Sequence, residues 1–410
     1  MKRDLFSISL KDTILRIISV ALLLTPLYNY GEVYVLFTGN VVDQASLKTP
    51  LEIKIIKDFL IILVLFLSVA LLLKRQKIHK QMFIAFAFIC VSLYSVLISI
   101  DTSFLSFVIG IRWLIPFILA FLLLGVVNKN YLYHLANVLA LLFVVHFIFQ
   151  VLQLFYSGHW YGVSSFGLSL RNPGILFIPS TSAFFSIMVL FFTLNYMKHD
   201  NNRMFLLLLI PFSILLTASG TGVIALITVY IVNISQKMKV GKLVILFLPL
   251  LAVSSIPILE FFTGRTGIVE QSFGARYEIF KDLLISSNLF SENFGYGTST
   301  AYLLSNYLGI DNVGVPTESL FSALLVNLGF VPFLLFLTFL FIFALKAYLL
   351  RREDILQFVI IYILFGLTTS VLESFPANLL MSVLLSVYLP VIFNFNFEKP
   401  PYNVDRIHNK

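Results

Sequence analysis

Apolar runs follow one another along almost the whole chain, separated by short polar or basic breaks. A run of roughly 20 such residues is what a hydrocarbon core of about 30 Å requires of a crossing helix. The pattern predicts spans at 14–28, 55–73, 82–100, 104–127, 132–155 and 179–197, then at 243–259, 318–345, 355–372 and 378–393. Between Met204 and Ser235 stand two shorter apolar segments, divided by Thr217-Ala218-Ser219-Gly220-Thr221-Gly222. Short segments around a small-residue tip put that tip below the surface, where irregular backbone needs protein or a watery cavity over it. Two readings stand: a broken element lining a binding site, or a tight hairpin in a locally thin bilayer.

The expected fold is thus an all-α polytopic membrane protein of about twelve transmembrane helices, forming one domain over residues 1–410. Loops at about 29–53, 156–178 and 261–316 share one face, the last forming a lid over a site beneath it. Within that lid, Ala275 to Leu284 reads as a short amphipathic helix. Tyr277, Phe280, Leu283 and Leu284 fall on one face, with Arg276, Glu278, Lys281 and Asp282 elsewhere.

Composition agrees: 59% of residues are hydrophobic and 12% charged, against about a quarter charged in soluble domains. The net charge of +8 is carried by Lys and Arg concentrated in one set of alternate loops and the termini, as in Lys74-Arg75-Gln76-Lys77. That bias reports orientation, with both termini cytoplasmic, and not a nucleic-acid partner. The first span follows a basic start without a small-residue cleavage site and reads as retained. The single cysteine, Cys90, excludes a disulfide or a cysteine metal site. No Walker, dinucleotide-binding or HExxH motif is present, nor a DxD carboxylate pair. No metal site and no cofactor are expected. Among the histidines, His134 and His146 are expected to be buried in the 132–155 span, with His134 and Asn137 on one face.

On the face opposite the basic loops, the loop arginines are Arg171, Arg265 and Arg276, set against a larger number of carboxylates. A guanidinium is permanently charged, and its planar fork matches phosphate oxygens two at a time. The alternative for each is an ordinary ion pair, with Glu270 or Glu278 at hand. Arg112 lies inside a span, where a charge costs at least a few kcal/mol and must find a partner. A lipid-linked phosphate would serve, as would Glu373 or Asp101, or the outer headgroups reached by snorkelling. Glu318 opens the span after the lid: as a helix cap it suits the dipole, and as a general base it could take a proton from a hydroxyl, with Glu373 the weaker alternative for that role. Aromatics such as Tyr296 suit sugar stacking or an interface belt.

The pieces Leu170-Arg171-Asn172-Pro173-Gly174, Pro179-Ser180-Thr181-Ser182-Ala183 and the 216–222 tip stand in order. Ala275-Arg276-Tyr277, Phe294-Gly295-Tyr296-Gly297, Thr317-Glu318-Ser319-Leu320 and Leu328-Gly329 follow. In this arrangement the chain resembles the bacterial O-antigen polymerase (Wzy-type) and O-antigen ligase superfamily. The resemblance implies a GT-C-like glycosyltransferase of the bacterial inner membrane, acting at the periplasmic face on undecaprenyl-diphosphate-linked glycans. It also implies membrane lipid, a chain-length regulator and a flippase as partners. Glu318, Arg276 and Arg171 become the catalytic set; Arg265, Arg112, Tyr296, Gly295, Gly297 and Ser219 become the substrate and diphosphate set. Gly220 stands where the family often has an arginine, leaving that role to Arg112 or Arg265. Glu318 stands where ligases present a histidine, which favours polymerase over ligase. A ligase moving glycan to lipid A core and a polysaccharide or lipid transporter are the rival readings.

Overall fold

A computed structural model describes residues 2–31, 33, 49–75, 83–98, 104–156, 172–176, 178–237, 274–291, 294, 319–372 and 374–393. Among them the regular structure is helical. In chain order the helices are α1 (Lys2–Leu23), α2 (Thr25–Tyr28), α3 (Leu51–Arg75), α4 (Phe83–Ile98), α5 (Phe104–Leu122), α6 (Lys129–Tyr156) and α7 (Pro179–Tyr196). They continue as α8 (Asn201–Leu216), α9 (Gly220–Lys237), α10 (Ala275–Ser286), α11 (Leu320–Leu328), α12 (Phe330–Leu349), α13 (Glu353–Gly366) and α14 (Ala377–Ile392). Three stretches, Glu52–Leu73, Lys129–Phe155 and Phe330–Leu349, are long and apolar enough to cross a membrane, and shorter apolar helices accompany them. These are the helices of a membrane protein. The expected 243–259 span lies outside the described residues.

Helix α7 is the axis of the bundle. It is apolar on all sides, as a helix enclosed by others must be, and 15 of its 18 residues are buried. It packs against α6, α8, α9, α13 and α14. Its small residues admit close neighbours: a Cβ at Gly222 of α9 would stand 2.7 Å from that of Ala183. Where small side chains face each other, backbones approach and dispersion contacts multiply. On the α13 side Phe184 fills the space, edge-on to Tyr362 and Phe365 at 5.2 Å each.

The two ends of α7 are fastened differently. At its C-terminal end Tyr196 bonds the Tyr388 hydroxyl of α14 at 2.7 Å and donates to Asp354 of α13 at 3.4 Å. Asp354 also pairs with Arg352 at 2.8 Å, and this hydrogen bond raises the guanidinium's pKa. Beside them Asn195 donates to Gln357 at 2.9 Å. At the other end, where α7 begins, the fastenings run from side chains to loop backbone.

Three expectations change. The 318–345 span is two helices, α11 and α12, broken at Gly329 with φ of +87°. Phe321 and Phe333 come within 6.5 Å across the break, although twelve residues of straight helix would separate them by about 18 Å. The residues after α10 satisfy the orphan groups of both helix ends. Asn288 and Leu289 carbonyls accept from Phe330 and Val331 at 3.0 Å, and the Leu328 carbonyl accepts from Ser291 N–H at 3.2 Å. The Ser95 hydroxyl of α4 donates to the same carbonyl at 2.7 Å. His134 and Asn137 are exposed, because their face of α6 turns away from the bundle, while His146 is buried as expected. The first span is interrupted at Leu24, between α1 and the Pro26-bearing α2.

A side chain at Gly329 would also strike the Phe290 backbone at 2.6 Å. Gly329→Ala is therefore expected to destabilise the fold by about 1–3 kcal/mol or more. A lowered thermal unfolding midpoint of the detergent-solubilised chain is the check, with Gly274→Ala, where a Cβ meets nothing within 4 Å, as the silent control.

Candidate functional site

The end of the bundle where α7 begins is built around an irregular segment, Asn172-Pro173-Gly174-Ile175. In an apolar interior every backbone N–H and C=O of such a segment must find a partner. Each one here does. Asn172 N–H donates to the Leu216 carbonyl at 2.9 Å, and the Asn172 carbonyl accepts from Gln150 at 3.0 Å. Pro173 has no N–H, and its carbonyl accepts from Leu176 at 3.2 Å. Gln153 grips Gly174 from both sides, accepting from its N–H at 2.8 Å and donating to its carbonyl at 2.9 Å. Ile175 N–H donates to His146 Nδ1 at 3.4 Å, and Asn29 donates to the Ile175 carbonyl at 3.2 Å.

The side chains that do this come mainly from one stripe of α6: His146, Gln150 and Gln153, all buried. Spacings of four and three place them on one helical face. With Nδ1 accepting, the neutral imidazole carries its proton on Nε2 and donates to Ser182 Oγ at 3.0 Å. Gln150 accepts from Ser213 at 2.7 Å, and Ser213 meets Ser186 at 2.9 Å. Gly174 has φ of +59°, and a Cβ there would lie 2.6 Å from His146 Nδ1. Only glycine satisfies both constraints.

Through Asn172 the segment meets the last residue of α8, just before the tip between α8 and α9. Thr217 is fully buried, Ala218 turns the chain with φ of +48°, and Ser219 accepts from Gly222 N–H at 3.3 Å. From the tip the contacts continue around this end. Thr221 bonds Thr368 beyond α13 at 3.0 Å. Gly366 lies against Leu320 of α11, where a Cβ would meet the leucine at 3.1 Å. Phe375 stands edge-on to Tyr28 at 5.5 Å. Helices α7, α9 and α14 all begin at this end of the bundle.

Part of the 261–316 loop is also described. Helix α10 forms over the expected residues, yet its packed face differs from the expected one. Arg276, Phe280 and Leu283 are the half-buried residues, with Phe280 6.0 Å from Phe333 of α12. Tyr277 is 63% exposed and Leu284 38%. The packed row follows the spacing 276, 280, 283, and the arginine lies on it rather than opposite. Glu278 pairs with Lys281 at 3.5 Å on the exposed side. Further on, Phe294 is fully buried with its ring against Gly110 of α5.

Of the expected site residues, Arg276 and Ser219 are described, the first on the packed face of α10, the second closing the first turn of α9. Arg112 falls in α5, two residues after Gly110, with its side chain outside the described set. Arg171, Arg265, Gly295, Tyr296, Gly297 and Glu318 lie outside the described residues. Three of them adjoin described residues: Asn172 follows Arg171, Phe294 precedes Gly295, and Ser319 follows Glu318. Ser319 is the N-cap of α11, accepting from Ser322 N–H at 3.0 Å. The capping role proposed for Glu318 thus belongs to the next residue. The glutamines of α6 went unremarked in the sequence, although a His, Gln, Gln row at helical spacing in an apolar span was its signal. Among the described residues no three His, Cys, Asp or Glu side chains gather to hold a metal.

No protein-family model matches the chain, and no curated protein matches it.

With Ser319 as cap, Ser319→Ala is expected to cost about 1 kcal/mol, and Glu318→Gln less than about 0.5 kcal/mol, as for a position outside the cap. Chemical-denaturant or thermal melts of the two variants check the assignment. A larger loss from Glu318→Gln would return the cap to Glu318.

Proposed function

We propose that this protein is a membrane glycosyltransferase that polymerises undecaprenyl-diphosphate-linked oligosaccharide repeats into a surface polysaccharide. In this reading the chain crosses the bacterial inner membrane about twelve times, both termini are cytoplasmic, and the end where α7 begins faces the periplasm. A growing glycan on undecaprenyl diphosphate is the donor. Glu318 takes the proton from an acceptor sugar hydroxyl, the alkoxide attacks the anomeric carbon, and the bond to the diphosphate breaks. Arg276 and Arg171, with Arg265 and Arg112 in support, bind the departing diphosphate and stabilise the charge it gains.

The observation that carries the reading is the joining of distant motif pieces at one end of the bundle. Asn172 meets Leu216, Thr221 meets Thr368, and Gly366 meets Leu320. Asn172, Leu216, Thr221 and Leu320 flank Arg171, Ser219 and Glu318 in the sequence, and Gly366 and Thr368 at the end of α13 bridge two of them. Two further facts support it: Arg276 lies on the side of α10 that packs on the bundle, and Glu318 is relieved of the cap. The occurrence of a glutamate where ligases present a histidine favours polymer growth over transfer to lipid A core.

The purified chain in proteoliposomes, given lipid-linked repeat units, is expected to produce a ladder of longer glycans. Arg276→Ala and Glu318→Gln should each lower the rate by about 100-fold or more while leaving the protein monodisperse. Normal ladders from both variants would remove these residues from the chemistry. Translocated repeats with no new glycosidic bond would make the protein a transporter, and glycan found only on added lipid A core would make it a ligase.

A further inference from the structure

Helix α12 closes with a turn that suits glycine and carries arginine. Arg352 N–H donates to the Ala347 carbonyl at 2.9 Å and Arg351 N–H to the Tyr348 carbonyl at 3.1 Å. This pair of bonds ends a helix through one left-handed residue, most often glycine. Here that residue is Arg351, with φ of +52°, a conformation that a Cβ makes costly. Nothing within the fold offsets the cost. The Arg351 side chain is exposed, and among the described residues no hydrogen bond or ion pair engages it.

Basic neighbours at this end of the bundle are engaged. Arg352 holds the Asp354 carboxylate through two hydrogen bonds of 3.0 and 2.8 Å. Lys346 lies 4.6 Å from the centre of the Phe393 ring, and Arg203 donates to the Leu194 carbonyl at 3.2 Å. Glu353 and Asp354 open α13 beside the turn, and the second of them is taken by Arg352. Helix α12 is long and apolar enough to cross a membrane, and its 20 residues rise about 30 Å, the thickness of the hydrocarbon core. The turn after it therefore stands where acyl chains give way to headgroups. Tyr348, Leu349 and Leu350, just before Arg351, are 45%, 67% and 48% exposed, a surface suited to lipid at that depth.

We propose that the α12–α13 turn is a binding site for an anionic phospholipid, with acyl chains against Tyr348, Leu349 and Leu350 and the phosphate in the fork of Arg351. A guanidinium meets two phosphate oxygens at once, and an anionic headgroup adds attraction close to the surface. The site lies at the Tyr196 end of α7, away from Asn172, and does not depend on the function proposed above.

Native mass spectrometry of the full chain in neutral detergent, titrated with phosphatidylglycerol, tests this. Arg351→Gln and Arg351→Gly are each expected to bind the lipid roughly fivefold more weakly than the parent, the loss of one cation near an anionic lipid surface. Without lipid, Arg351→Gly should melt above Arg351→Gln, because glycine relieves the left-handed turn. A midpoint below that of Arg351→Gln would remove the left-handed turn and the site with it. Equal affinity in the parent and both variants would overturn the proposal. So would an equal loss from Lys198→Gln, an exposed cation elsewhere at this end, since the effect would then be one of overall charge. Phosphatidylcholine bound as tightly as phosphatidylglycerol, or full displacement by glycerol phosphate, would rule out an anionic lipid as the occupant.

Discussion

The structure depends on satisfying an irregular piece of backbone inside an apolar bundle. Residues 172–175 cannot be helical, since they include a proline followed by a glycine with positive φ, and they cannot turn to water for hydrogen bonds. Each orphaned peptide group in such surroundings costs several kcal/mol. Side chains from α6 and Asn29, and the last turn of α8, remove that cost. Helix α7 then starts just beyond the segment, and the segment is tied to the end of α8 through Asn172.

The same problem recurs at Gly329 with a different solution. There the broken ends of α11 and α12 offer unpaired groups, and backbone from 288–291 pairs with them. Loop thus pairs with side chains in one place and with helix termini in the other. In both, glycine supplies a conformation and a closeness of approach that a Cβ would forbid. Both interruptions border motif residues, Arg171 in one case and the Arg276-bearing α10 in the other.

Much of this was legible in the sequence, and the failures have physical causes. Helix positions followed from run length and from the breaks at Lys74, Lys198 and the 217–222 tip. Helix α10 was found within two residues of its end. The break at Gly329 was hidden because the residues on both sides are equally apolar, so periodicity continues across it. The packed face of α10 was misjudged by counting aromatics as inward. Tyr277 faces out, and Arg276 turns in beside Phe280, as a long side chain with an apolar stem can. His134 and His146 sit in one span and look alike in sequence. Only the second occupies the face shared with Gln150 and Gln153, and its partners come from segments 29 and more residues away. Long-range pairing of this kind has no local signature.

The two ends of the bundle differ in a way that bears on function. At the Tyr196 end bonds join helix to helix, through Tyr196 with Tyr388 and Asp354, and Asn195 with Gln357, while Arg203 holds the short connection after α7 at the Met197 carbonyl. The helix-to-helix links fix the spacing of α7, α13 and α14. At the Asn172 end helix-to-helix bonds, His146 with Ser182 and Gln150 with Ser213, are joined by bonds from α6 to the 172–175 backbone. A transporter that opens alternately to both sides would need each end to loosen in turn. Among the described residues, neither end offers the loosely held contacts that such a cycle would exploit: one is held between helices, and the other between helices and through the 172–175 backbone.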